Sequence, residues 1–306
     1  MLIQNNNNPP TPTIKESPTI NRGDMLDKSA FYVDPRFIVG YSNKQPVLVL
    51  QVGSNLDPGL RRKDRPNEDS IFVTQGIIPS ASASPKPFAL IMVADGMGGH
   101  THGQEASQLA VQSLVEYVSG CLRSQQMGPE AFLLLLKAGV QYANRIVFQR
   151  NQEQRVNMGT TMTATLVVDT TAYVAHVGDS RCYLYHKPTG LSQITQDHSV
   201  VAALVAAGVI QPEDIYTHPS RNLIYRCLGE KSSVEVDCYA VPLAAADMLL
   251  LCSDGLWEMV RDQQIATILT TPMPTPSDIA HALIQAALAG GGEDNVSAIV
   301  TRVSNV

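Results

Sequence analysis

No stretch of this sequence carries the basic stripe that tracks a nucleic-acid backbone. The net charge is −6 and its charged residues are dispersed, so no nucleic-acid partner is expected. Close cysteine pairs are missing as well. Cys121, Cys182, Cys227, Cys238 and Cys252 are odd in number and show no C-x-x-C spacing, which signals neither a disulfide framework nor a zinc site and suits reduced thiols. No H-E-x-x-H pair competes for a metal role. The N-terminus lacks a charged start followed by an apolar core, and no apolar run approaches the length needed to cross a bilayer. A cytoplasmic protein with no membrane partner is expected.

Hydrophobic residues make up 44% of the 306-residue chain, enough for a substantial core. Residues 1–44 carry Asn5 to Asn8 and the prolines Pro9, Pro10, Pro12 and Pro18 with few apolar residues, and read as a flexible low-complexity tail. Residues 45–306 read as one domain. Short β-branched runs predict strands at 47–52, 70–74, 88–94, 163–169, 172–177, 182–186, 237–243, 247–253 and 296–303. Gln104 to about Arg123 and Pro129 to about Gln154 place apolar residues at helical spacing. Strands cluster before and after helices instead of alternating with them, which fits an α+β fold of packed sheets with helices outside.

Two apolar runs stop in the same way. Leu90–Ala94 leads into Asp95-Gly96, and Leu249–Ser253 leads into Asp254-Gly255. Such an ending puts a carboxylate at the lip of the core, although an ordinary turn uses the same dipeptide. Two more acidic pairs stand at strand starts, Glu68-Asp69 before 70–73 and Glu293-Asp294 before 295–297. If packed sheets gather these ends, several carboxylates share one cleft, and cations between them would relieve the repulsion. Oxygen ligands favour Mg²⁺ or Mn²⁺. Two such ions suit phosphoester hydrolysis.

RPNEDS at 65–70, VADGMGGH at 93–100, MGTTMTATL at 158–166, VGDSR at 177–181, LLCSDGLWE at 250–258 and GGEDNVSAIV at 291–300 resemble, in order, the type 2C metal-dependent protein phosphatases, and Met97 resembles their bacterial branch. The resemblance implies an α-β-β-α sandwich of two central antiparallel sheets flanked by helices. It implies a serine/threonine protein phosphatase acting on kinase-phosphorylated proteins, with a metal-bridging hydroxide as the attacking group. It places Asp95 as the carboxylate shared by two Mn²⁺ or Mg²⁺ ions, with the Gly96 carbonyl as a further ligand. Asp254 and Asp294 then serve the first ion, Glu68 the second, and Asp69 a partner reached through water. Asp95 and Asp254 are the catalytic pair in this reading, and a monomer is expected.

The sequence departs from the family pattern at several points. A phosphate-gripping arginine usually stands four residues before the motif glutamate, where this chain has Asp64. Arg61, Arg62 and Arg65 are the substitutes, with Arg62 and Arg65 preferred for bidentate phosphate contact. Met97 leaves the general acid unassigned. His100 and His102 read as solvated or helix-capping, or else as hydrogen-bonding groups in the site, and His198 either as a structural hydrogen-bonding group or as a residue facing substrate. Asn157 replaces an aspartate associated with a third ion, which is therefore expected to be absent or loosely held. Asp179 reads as structural. Residues 198–229 read as a flap beside the site, where substrate choice is commonly set. The alternative to an enzyme is a catalytically silent binding module on the same fold, motivated by Asp64 and Asn157.

Overall fold

The β-branched runs become strands and the long amphipathic segments become helices in the computed structural model, which describes residues 48–78, 86–98, 101–124 and 128–305. The expected tail over 1–44 lies outside the described residues. In chain order the elements are β1 (Leu48–Asp57), β2 (Asp69–Ile78), β3 (Lys86–Met97), α1 (Thr101–Ser124), α2 (Pro129–Gln154), β4 (Gly159–Thr160), β5 (Met162–Val168), β6 (Thr171–Val177), β7 (Arg181–His186) and β8 (Gly190–Gln193). There follow α3 (Val200–Ala206), a 3₁₀ turn at Pro212–Tyr216, β9 (Asp237–Pro242), β10 (Met248–Cys252), α4 (Asp254–Trp257), α5 (Asp262–Thr270), α6 (Pro276–Ala289) and β11 (Val296–Asn305).

Two antiparallel sheets stack face to face. One has the order β1-β11-β10-β7-β8, and the other β2-β3-β5-β6-β9 with β4 attached to the end of β3. Their side chains alternate between two apolar layers, as a period of two requires. From β3, Ala89, Ile91 and Val93 point between the sheets, where they join Leu249, Leu251 and Ile299. Leu90, Met92 and Ala94 point the other way, into a layer shared with Leu114 and Leu136 of α1 and α2. Leu250 and Val300 of the first sheet meet Trp257 and Leu283 on its helical side. Each fully buried side chain of this kind contributes roughly 1.5–3 kcal/mol. Helices on both outer faces explain why these antiparallel strands read as continuous apolar runs and not as half-polar ones.

By length and composition alone α2 is apolar enough to cross a bilayer. Its apolar stripe, including Phe132, Leu136, Val140 and Val147, is buried against the second sheet. The outer layer on the first sheet comes from α5 and α6, which the strand-centred reading did not single out. The start of α6 is fixed by a capping box: Asp278 donates its backbone N–H to Thr275 Oγ1, and Thr275 donates its own to Asp278 Oδ2.

Candidate active site

At one rim of the sandwich the alternation that fills the inter-sheet layer continues past its apolar residues into polar ones. Asp95 follows Ile91 and Val93 on the same face of β3, and Asp69 is its direct cross-strand partner on β2. The Asp-Gly pair does not terminate this strand, contrary to the expectation. β3 runs on through Gly96 and Met97, which pair with Thr160 and Gly159 of β4. Gly96 is held where the backbones of β3, α1 and the Glu68 loop meet, and a Cβ there would collide with the Gly103 carbonyl oxygen.

Asp69 is clasped from the opposite sheet. Ser253 Oγ and Ser297 Oγ donate to its Oδ2 at 2.7 and 2.6 Å. Ser253 is also the N-cap position of α4, so Asp254 opens that helix directly from the end of β10. The Glu68 loop is pinned by Asn295, whose Oδ1 accepts the Glu68 N–H at 2.8 Å while its Nδ2 donates to Pro58 O at 2.9 Å. Ser107 of α1 donates to the Glu68 carbonyl at 2.6 Å. Thr161 Oγ1 accepts the Asp95 N–H at 2.9 Å. Seven separate stretches of chain are thereby fastened around one cleft.

That cleft, of about 320 Å³, is lined by Arg62, Arg65, Glu68, Asp95, Gly96, Asp254 and Asp294 together with Met97, Asp179, Asn222 and Ile224. Asp69 lies behind this lining. Arg62 and Arg65 reach the cleft although Asp64 occupies the usual arginine position, because a turn closed by Arg65 N–H donating to Arg62 O at 2.8 Å folds the loop back. Arg62 Nη1 lies among the carboxylates, 2.6 Å from Asp294 Oδ1 and 3.3 Å from Glu68 Oε2. Arg61 turns outward toward Glu293.

Electrostatically the carboxylates are crowded. Burial pushes Asp95 well above the usual carboxylate range, and repulsion from Asp254, Asp69, Asp294 and Asp179 adds to it. Burial also raises Asp254. Asp294 is pushed up to about 7, first by burial and then by Asp254, against the pull of Arg62. Asp69 reaches about 6 because burial outweighs the hydrogen bonds from Ser297 and Ser253. Positive charge is what this arrangement lacks.

Among the described residues no three acidic, histidine or cysteine groups stand ready-made to hold an ion; the Arg62 guanidinium occupies the space between two of the carboxylates. The donor set nonetheless fits hard divalent cations. It consists of oxygens alone. Asp69 Oδ1 and Asp254 Oδ1 are buried without a hydrogen-bond partner among the described residues, and the guanidinium stands in for the missing cationic charge.

The remaining candidates separate clearly. His198 is buried and structural, because its Nδ1 accepts the Gly178 N–H at 3.0 Å and its Nε2 lies 3.2 Å from Asp237 Oδ2. His102 is absent from the cleft lining, as is Asn157. His100 lies outside the described residues. Asp179, expected as a structural residue, stands beside these carboxylates. It lines the cleft, and burial followed by repulsion from Asp254 pushes it well above the usual range. Its signal was present, since Ala172–Val177 is another apolar run ending just before an acid. The flap roofs the cleft with Asn222 and Ile224 and is tied down by Arg221, 3.6 Å from Glu258 and 3.5 Å from Glu293.

Residues 59–289 match the family model for protein phosphatase 2C. The serine/threonine phosphatase stp of Listeria monocytogenes is 38% identical over 213 residues, covering 69% of this chain and 83% of that protein. The serine/threonine protein phosphatase PstP of Mycobacterium tuberculosis is 39% identical over 258 residues, 84% of this chain and 45% of that longer protein. The solved catalytic domain of PstP, in complex with two manganese ions, superposes with a TM-score of 0.69 at 35% identity, covering 84% of this chain and all of that domain.

Proposed function

The chain belongs to the protein phosphatase 2C family and is a metal-dependent serine/threonine protein phosphatase, and we propose that the cleft between Arg62, Glu68, Asp95 and Asp254 is its reaction centre. The observation that carries this placement is the meeting of Glu68, Asp95, Asp254 and Asp294 with Arg62 and Arg65 in one cleft at the rim. In this reading Asp95, Asp254, Asp294, Glu68 and the Gly96 carbonyl hold two Mn²⁺ or Mg²⁺ ions. When bound, the ions supply Lewis-acid activation of water and neutralise phosphate charge.

The protein's own groups then divide the remaining work. Arg65, at the cleft's edge, offers planar donors to the phosphate oxygens. With its carboxylate partners engaged by cations, Arg62 would offer the same donors to phosphate. Asp69 is a positioning residue, because its Oδ2 is clasped by two serines from the facing sheet. Asn222 and Ile224 of the flap limit which polypeptide backbones approach. The substrates are phosphoproteins, and we assign them to a serine/threonine kinase's products, met in the cytoplasm by a monomeric enzyme with neither a membrane nor a nucleic-acid partner.

Hydrolysis of a phosphothreonine peptide should be measured with EDTA, with Mg²⁺ and with Mn²⁺, beside the Asp254→Asn variant. Turnover that needs both a divalent cation and Asp254 supports the placement. Undiminished turnover in Asp254→Asn sinks it, and silence of folded protein in every metal would favour a binding module.

A further inference from the structure

The flap's own α3 and Pro212–Tyr216 turn, with β8 and the start of α5, bound a second cleft of about 730 Å³. It shares no lining residue with the acidic cleft. Its floor is the buried Trp257 ring, with the Arg181 guanidinium stacked 3.6 Å from its centre. Toward the mouth, Tyr216 lies 6.3 Å from Trp257 and carries Arg261 over its own face at 3.3 Å. One wall is apolar, made by Val201, Ala202, Val205 and Ile215.

The polar groups are unevenly committed. Arg181 donates from Nε and Nη2 to Asp197 and from Nη1 to the Tyr183 hydroxyl. That hydroxyl donates in turn to Asp262 Oδ1. Gln193 Nε2 donates to Thr195 O and Asp197 Oδ1, and Arg261 Nη1 donates to Glu258 O. Acceptors are left over. Gln193 Oε1, Asp262 Oδ2 and the Glu213 carboxylate accept no hydrogen bond among the described residues. The charged lining holds Arg181 and Arg261 against Asp197, Glu213 and Asp262, so negative charge is in excess once Arg181 has neutralised Asp197. A complementary ligand donates hydrogen bonds, is cationic, and has an apolar body.

We propose that this cleft is a docking site for a basic side chain, arginine or lysine, of a bound polypeptide, with its apolar neighbour seated on the α3 wall. The site rests on its own geometry and stands whether or not the acidic cleft carries the reaction. Glu213 and Asp262 line the same cleft as that wall, so the basic head group meets carboxylates while the neighbouring apolar side chain covers Val201 and Val205.

Trp257 is the chain's single tryptophan, so its emission reports occupancy of this cleft. Mn²⁺-loaded full-length protein should be titrated with N-acetyl-Leu-Arg-amide, its glutamine and glutamate counterparts, and agmatine. The expected result is a saturable change with the arginine peptide at roughly millimolar concentration and binding about tenfold weaker for the glutamine peptide. Glu213→Gln combined with Asp262→Asn should weaken the arginine peptide by a similar factor. Ala202→Leu, or Val205→Phe should Ala202→Leu fail to fold, fills the cleft and abolishes the change. No saturable change in the wild type, an equal response to the glutamate peptide, or an undiminished response in folded filled variants overturns the proposal. Agmatine binding as tightly as the arginine peptide overturns the assignment to a polypeptide.

Discussion

Asp69 and Asp95 stand directly opposite each other across the β2–β3 pair, two carboxylates in register on the face that looks into the gap between the sheets. Like charges in that relation destabilise a sheet, and both side chains are buried deeply enough to raise their pKa. Ser253 and Ser297 compensate only Asp69 Oδ2. The pairing makes sense where a cation is to be held, and it gives the two aspartates different duties.

Asp95→Asn should remove turnover at every Mn²⁺ concentration, because Asp95 faces the cleft. Asp69→Asn keeps its serine clasp and should weaken apparent Mn²⁺ affinity by about 10–100-fold while leaving saturated kcat largely intact. Activity against Mn²⁺ concentration for the two variants decides this, and superimposable curves would reject the division.

Arg62 bridges Glu68 and Asp294, whereas Arg65 lines the cleft without such a bridge. Arg62→Ala should therefore lower the stability of metal-free protein by about 1 kcal/mol, or roughly 2–4 °C in Tm, in addition to raising KM for phosphopeptide. Arg65→Ala should raise KM with Tm unchanged. Differential scanning fluorimetry in EDTA, paired with steady-state kinetics, separates the two, and a matching Tm loss in Arg65→Ala would count against the distinct role of Arg62.

Arg181 and Asp197 form a buried pair joined by three hydrogen bonds, beneath the Trp257 ring. Asp197→Ala strands the guanidinium in the interior and should cost about 3–5 kcal/mol. Urea unfolding of the two proteins provides the measurement. A loss under about 1 kcal/mol would mean that water or another acceptor replaces the carboxylate.

Burial, with nearby His198 adding to it, lowers the His176 pKa to about 3 in the folded chain. Its ring is held neutral between Thr163 Oγ1 and Gln196 O. An unfolded histidine takes up its proton near pH 6.5, so the unfolded state binds more protons between these values. The contribution of His176 to stability is therefore complete above about pH 6.5 and declines as pH falls toward 3, by up to about 1.4 kcal/mol per pH unit. The stability difference between Mn²⁺-loaded wild type and His176→Asn should shrink from pH 7 to pH 5. A constant difference would place the proton elsewhere.

Much of the fold is legible in the sequence, because strands buried on two faces announce themselves as continuous apolar runs and helices α1 and α2 as stripes at their own period. The carboxylates were legible for the same reason: Glu68, Asp95, Asp254 and Asp294 each border such a run. Asp179 has a similar setting. Its exposure to the cleft depends on how the chain turns after β6, which alternation does not encode. For His198 local pattern allows two roles, and its burial beside Gly178 and Asp237 selects the structural one.

Which segments extend, which coil, and which acids lie at their ends follow from periodicity over a few neighbouring residues, so the sequence suffices for them. The tertiary structure alone decided that Asp69 sits behind the cleft, held by serines 184 and 228 residues away. It also decided that Arg62 lies between Glu68 and Asp294 and that a second cleft opens over Trp257. Those outcomes depend on how two sheets stack and where their connecting loops meet, and packing across such separations is fixed only when the whole core closes.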